Sequence, residues 1–380
     1  MADYLDPRSG RTYPLAQPRW RGEDGAPLLL TDLPGIGPDD IEREQPGLWR
    51  YRAALPFQPA RPITMGEGRT PLVMRRLHGL DALLKCEWLM PTGSFKDRGA
   101  TVMLSLLRDQ GIGAVLEDSS GNGGAAISTY AAAGGMRARI LVPESTSPAK
   151  TVQSRAAGAE IVLVPGTRQD TSDEAVRQGA MYGNDPSSGF FYASHNWHPF
   201  FLHGTKTLAY EIWEDLGFRA PDAVVIPTGA GSNVLGCDIG FSELLRAGRI
   251  ARLPRLYAAQ PANCGPIARD VLGLPPEPPK PTIAEGTAIA RPIRPAEVAG
   301  AIRRSGGSAV LVEEAAIAEA ALFLARQGIY VEPTCAQAVA ALGQLSEAGA
   351  IQPGEAVVVV LTGTGLKATP RYADLLGVPA

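Results

Sequence analysis

The sequence predicts an α/β fold built on parallel sheet, and three observations carry that reading. Short runs of Val, Ile and Leu recur, helical stretches separate them, and glycine-rich turns stand where a run hands over to a helix. Continuous rather than alternating aliphatic strands mark a sheet covered on both faces. With 380 residues, 45% hydrophobic and 20% charged, the chain is long enough for two or three packed lobes and too apolar for wholesale disorder.

Taken in order, residues 1–60 are rich in Pro, Gly and Arg with weak periodicity. They are expected to form an N-terminal extension wrapping the body, with a short helix near PDDIEREQPGLWRY. AVLED (114–118) reads as a strand before a helix through GAAISTYAAAGG, which Gly134 and Gly135 would stop. ARILVPE feeds a helix at PAKTVQSRAAG, and EIVLVPG feeds one at TSDEAVRQGAMYG. PDAVVIPTG leads into SNVLGCDIGFSELLRAG, RLYAAQ leads into GPIARDVLG, and EAVVVVLTGTG holds a last buried strand. The acidic VEEAAIAEAALFLARQG is an amphipathic helix, and LPPEPPKP (274–281) is an exposed connection.

Composition narrows the function classes. A net charge of −3 without a long basic run disfavours a partner bound through nucleic-acid phosphates. Cys86, Cys237, Cys264 and Cys335 lack CxxC spacing and are expected as buried thiols in a reducing compartment, with no zinc site. The N-terminus has no signal-peptide apolar stretch, and AVVVVL is too short to span a bilayer. A cytoplasmic protein without membrane or nucleic-acid partners is expected.

Three turns invite an anion. EDSSGNGGAA (117–126), PTGAGSNVLG (227–236) and LTGTGLK (361–367) each follow a strand, where helix-opening glycines offer unpaired backbone N–H groups. Any one of them could be a tight turn and nothing more; three in one chain favour a phosphorylated ligand. A dinucleotide is disfavoured, because Val234 occupies the third glycine position and Gln260 stands where an acidic ribose partner is wanted. A nucleoside triphosphate is disfavoured too, since Cys237 and Asp238 replace the Lys and Ser/Thr of a phosphate loop.

Lys96, in PTGSFKDRGA (91–100), falls in the first turn of an expected helix that Ser94 and Asp97 would cap. The positive helix end and partial burial both disfavour its charged form, leaving an amine able to attack an aldehyde. The alternative is a solvated lysine beside Asp97 and Arg98, the latter in a surface ion pair. His195, His198 and His203 lie within HNWHPFFLH, where structural or pocket-lining roles outweigh a metal site.

PTGSFKDRGA, SSGNGGA, PTGAGSNVLG and LTGTGLK together resemble the fold-type-II pyridoxal-phosphate enzymes, the tryptophan synthase β-like class, and within them threonine synthase. MGEGRTPLV and VEPTCAQAVAAL resemble the same family. The resemblance implies pyridoxal 5′-phosphate bound to Lys96 as an imine, with Asn122 on the cofactor's 3′-oxygen. The backbone of Gly229, Ala230, Gly231, Ser232 and Asn233 would cradle the phosphate, and the Thr362 hydroxyl would meet the pyridine nitrogen. Ser119, Ser120 and Gly121 would receive the substrate carboxylate, Thr70 would lie near the mouth of the site, and Glu285 would approach the ring.

The family pattern is broken at Met90, usually Asn, at Gly123-Gly124, where relatives carry pocket-shaping side chains, and at Ala230 and Ser232 in the phosphate loop. The resemblance implies two lobes, 61–100 with 195–380 and a smaller mobile 101–194, and a homodimer acting on a small amino acid. Threonine synthase chemistry on phosphohomoserine leads. Threonine or serine dehydration, ammonia-lyase chemistry, β-replacement and a silent amino-acid sensor are the alternatives.

Overall fold

The aliphatic runs become strands in the computed structural model, which describes residues 2–182 and 189–379; most are buried, whereas the edge strand Glu160–Val164 buries only Val164. The chain divides into two compact units: Met1–Pro34, Ile41–Glu67 and Lys96–Thr205 form one, and Gly35–Asp40, Gly68–Phe95 and Lys206–Ala380 the other. The sequence-based lobes change over at residues 100–101 and 194–195, whereas these units change over at Phe95–Lys96 and Thr205–Lys206.

Among the described residues of the first unit, a four-stranded parallel sheet runs in the order Glu160–Val164, Arg137–Pro143, Ala114–Glu117, Phe191–Tyr192. Helices Lys96–Asp109, Asn122–Ala133, Pro148–Ala156 and Arg168–Tyr182 alternate with these strands. Ala114–Glu117 is buried at every position, as a central strand with both faces covered must be. Helix Asn122–Ala133 stops at Gly134-Gly135, and Gly135 takes the left-handed φ of +69° that a terminating glycine supplies.

The N-terminal segment forms short strands and packs into the core of the first unit. Asp3–Leu5 pairs antiparallel with both Thr12–Pro14 and Leu29–Leu30. Tyr4, Trp20 and Leu28 are buried in the same core as Phe200 and Tyr192. These strands are too short to show periodicity, so their packing, not their pattern, makes them. In place of one helix near residues 38–51 there are 3₁₀ turns at Pro38–Asp40 and Gly47–Ala54. Glu67, fully buried, ties this segment inward: its carboxylate accepts from the Trp49 indole at 3.1 Å and the Tyr130 hydroxyl at 2.8 Å.

The described residues of the second unit form a six-stranded sheet in the order Ser308–Val312, Arg255–Pro261, Ala223–Pro227, Val357–Val360, Leu80–Lys85, Leu72–Leu77. All neighbours are parallel except the last pair, a hairpin across His78 and Gly79. Helices Ser232–Arg246 and Pro333–Glu347 follow glycine or acidic turns, and Glu314–Arg326 is the expected amphipathic helix. Residues 274–281 are exposed, as expected. The four cysteines are buried and outside any disulfide. No described helix is long and apolar enough to cross a membrane.

Candidate active site

Lys96 opens the helix Lys96–Asp109. Its amine stands 5.5 Å from the centre of the Phe201 ring, and that ring lies so close to the helix that a β-carbon on Gly99 would come within 2.4 Å of it. Burial pushes the amine down to about 8, and the Glu117 carboxylate works in the opposite direction. One pH unit below such a value about a tenth of the amine is neutral, against well under about 0.1% for a solvated lysine.

Two expectations about this helix start are corrected. Ser94 does not cap it: the hydroxyl is fully buried and meets no hydrogen-bond partner among the described residues. Asp97 and Arg98 are not a surface ion pair, for both are fully buried. The cause is close packing by helix Pro199–Thr205, where a β-carbon on Gly204 would fall 2.0 Å from the Arg98 carbonyl oxygen.

The turn Ser119–Gly121 links strand Ala114–Glu117 to helix Asn122–Ala133, whose first residue is Asn122. Ser119 and Ser120 are half-buried and Gly121 is exposed. Behind the turn, Asp118 accepts from Arg168 at 2.8 Å, Ser172 at 2.5 Å and the Tyr192 hydroxyl at 2.8 Å. Burial works against the Asp118 charge, but Arg168 and Ser172 outweigh it and hold the carboxyl below its usual range. A β-carbon on Gly123 would lie 2.9 Å from the His195 ring. Gly123 therefore leaves the room that His195 occupies. Sequence reasoning missed that pairing, because the two residues lie far apart along the chain and only the fold joins them.

In the second unit the turn 229–231 opens helix Ser232–Arg246. Gly231 has φ +92°, and a β-carbon there would meet Val298 at 2.4 Å, so only glycine fits without strain. Asn233 is buried, and neither its amide oxygen nor its amide nitrogen has a partner among the described residues. Gln260, noted only as the wrong residue for a dinucleotide, braces this turn. Its amide donates to the Thr228 carbonyl at 3.0 Å and accepts from the Ala268 N–H at 2.8 Å.

Thr362 follows strand Val357–Val360 and is buried. Its carbonyl accepts from the Phe95 N–H at 3.0 Å, and its hydroxyl lies 3.4 Å from the Cys335 sulfur. Burial pushes the Cys335 thiol up to about 12, so it stays a neutral neighbour. Thr70 is enclosed: its N–H donates to Glu211 at 2.7 Å and its hydroxyl to Glu87 at 2.6 Å. Glu285 is held by Arg371, whose Nε donates to it at 2.9 Å. His195, His198 and His203 are buried, and no cluster suited to a metal ion occurs among the described residues.

A family profile described as "Pyridoxal-phosphate dependent enzyme" matches residues 63–363. The chain belongs to this pyridoxal-phosphate-dependent family. Threonine synthase of Methanocaldococcus jannaschii is 33% identical over 95% of this chain and 91% of that protein. Threonine synthase of Synechocystis sp. is 34% identical over 83% of this chain and 82% of its own length. Among solved structures, the processed form of threonine deaminase isoform 2 from Solanum lycopersicum gives a TM-score of 0.70 at 21% identity, covering 92% of this chain and 97% of that one. That likeness shows the fold, the fold-type-II arrangement expected from the motifs.

The residues of this pyridoxal-phosphate enzyme fit its cofactor. An aldehyde needs an amine that is neutral near pH 7, and Lys96 sits at about 8. A phosphate needs unpaired donors, and the turn at Gly231 opens a helix where Asn233 buries an amide without a partner. A pyridine nitrogen accepts from a neutral hydroxyl, and Thr362 has one in a buried, thiol-lined position.

Proposed function

We propose that the protein is a threonine synthase-like lyase that converts phosphohomoserine to threonine and phosphate by γ-elimination and β-hydration. The observation that carries this reading is identity with the Methanocaldococcus jannaschii threonine synthase at 33% across nearly the full length of both chains. In this reading Lys96 bonds the cofactor and Asn122 holds its 3′-oxygen. The backbone of Gly229, Ala230, Gly231, Ser232 and Asn233 holds its phosphate, and Thr362 its ring nitrogen. Pyridoxal phosphate supplies an electron sink that stabilises negative charge beside the substrate's α-carbon.

The remaining work falls to the chain. Lys96 takes the α-proton and returns protons at later steps, a task suited to an amine near neutrality. Ser119, Ser120 and Gly121 bind the substrate carboxylate at a helix opening, where backbone N–H groups and the helix dipole favour an anion. Thr362 donates a hydrogen bond without giving up its proton, which leaves the ring nitrogen uncharged and moderates the electron sink. Thr70, held in place by Glu211 and Glu87, lines the substrate end of the site near its mouth in this reading. A homodimer in the cytoplasm acting on a small amino acid completes the reading.

A dehydratase or ammonia-lyase acting on threonine, serine or diaminopropionate is the second reading. It is favoured by the Gly123 position, where His195 stands in the space of a pocket-shaping side chain. A substrate screen separates the two. Phosphate and threonine released from phosphohomoserine support the first, whereas keto acid from threonine or serine, with phosphohomoserine inert, supports the second. No turnover of any of these by protein that binds the cofactor would point to a sensor.

A further inference from the structure

Glu117 ends its strand fully buried. Its carboxylate accepts twice from one residue, from the His195 backbone N–H at 3.0 Å and from the ring Nδ1 at 2.8 Å. A carboxylate acceptor places the ring proton on Nδ1 and fixes the orientation of the imidazole. The same ring meets Phe201 edge-on at 5.6 Å between centres, and Phe201 is the ring over which the Lys96 amine lies at 5.5 Å. Gly99 and Gly123 leave the space that lets Phe201 and His195 come this close.

Other charges near these elements are matched elsewhere. Asp118 is balanced by Arg168 and bonded by Tyr192. Tyr130, from helix Asn122–Ala133, donates to Glu67. Asp97 and Arg98 flank Lys96 on its own helix, and His198 and His203 come from the segment that bears Phe201. Of all these groups, Glu117 is the one whose charge raises the proton affinity of Lys96.

We propose that Glu117 and His195 form a positioning dyad that sets the charge state of Lys96. His195 pins the Glu117 carboxylate, and the carboxylate keeps the lysine able to hold a proton as well as lose one. This rests on Lys96 as the reactive amine. Burial alone drives the amine toward neutrality, which suits attack on a carbonyl and leaves no proton to give back. An acid–base group works best with its proton affinity near the working pH, and a fixed negative charge restores the cationic form to useful population.

The test reads the amine directly, on cofactor-free full-length protein. Trace acetylation across a pH series, with Lys96 followed by mass spectrometry, gives its titration midpoint without any turnover. The wild type should titrate near about 8. Glu117→Gln should lower the midpoint by about one unit, which makes Lys96 label about fivefold faster at pH 7. His195→Gln, whose amide can still donate to the carboxylate, should keep the wild-type midpoint, and His195→Ala should move toward the Glu117→Gln value. An unchanged midpoint in folded Glu117→Gln overturns the proposal. A wild-type midpoint in His195→Ala removes His195 from it. Should Glu117→Gln fail to fold, the two histidine variants alone decide, and equal midpoints in both count against the dyad. A failure of Lys96 as cofactor anchor would instead appear as retained cofactor colour in Lys96→Ala, whatever the midpoints.

Discussion

Lys85 and Lys96 are close in sequence and opposite in surroundings. Lys85, at the end of strand Leu80–Lys85 in the second unit, is fully buried and gives each of its three protons a partner: the Thr70 carbonyl at 2.7 Å, Glu211 at 2.8 Å and Asp215 at 2.8 Å. Lys96, in the first unit, stays partly accessible over an aromatic ring and feels Glu117. The fold takes every donor of the Lys85 amine, whereas burial lowers the Lys96 amine and Glu117 offsets only part of that. The difference separates a lysine that holds the fold from one that can react.

The comparison breaks most clearly at Lys96 itself. Lys96→Ala should cut turnover by about 10²–10⁴-fold and abolish the borohydride-sensitive visible absorbance of the bound cofactor, while melting of the cofactor-free chain changes little. A variant that keeps both colour and rate would shift the anchor to another lysine.

Lys85→Met should do the reverse. Leaving Glu211 and Asp215 without their cation costs roughly 3–5 kcal/mol in denaturant unfolding, while the protein that still folds binds cofactor with its colour intact. Loss of colour without loss of stability would erase the distinction.

A smaller effect is expected at Gly231. Forcing a β-carbon into a left-handed turn costs about 1–2 kcal/mol before the clash with Val298 is counted. Gly231→Ala should therefore weaken cofactor binding in a spectral titration without moving the Lys96 midpoint.

A further signal is in pH. Lys96 holds its proton to about 8 in the folded chain and to about 10.4 in an unfolded one. Between those values the unfolded chain binds more protons, so the contribution of Lys96 to stability improves as pH climbs through that window and is flat below it. Lys96→Met should remove this rise in cofactor-free protein, measured by denaturant unfolding at several pH values. Parallel curves for variant and wild type would contradict a lowered amine.

What the sequence disclosed follows from length and pattern. The strands at 114–117, 223–227 and 357–360 are aliphatic and central, so burial on both faces wrote itself into composition. Lys96, Asn122 and the 229–233 turn sit in contiguous motifs that carry their own geometry. The strand Leu72–Leu77 was silent because it is an edge strand with exposed arginines and a methionine. Asp97 and Arg98 misled because nothing local says that a second helix will cover them. His195 and Glu117 lie far apart in sequence, and a pair of that kind is visible only once strand and loop meet.

The family match starts at residue 63, yet Tyr4 sits edge-on to Phe200 at 5.8 Å and Trp20 to Tyr192 at 5.0 Å. A shortened chain trimmed to the matched region would strip aromatic cladding from the core that carries Lys96's own helix. Such a fragment would be prone to clump, and a poor yield from it would speak of missing cladding and not of a damaged catalyst.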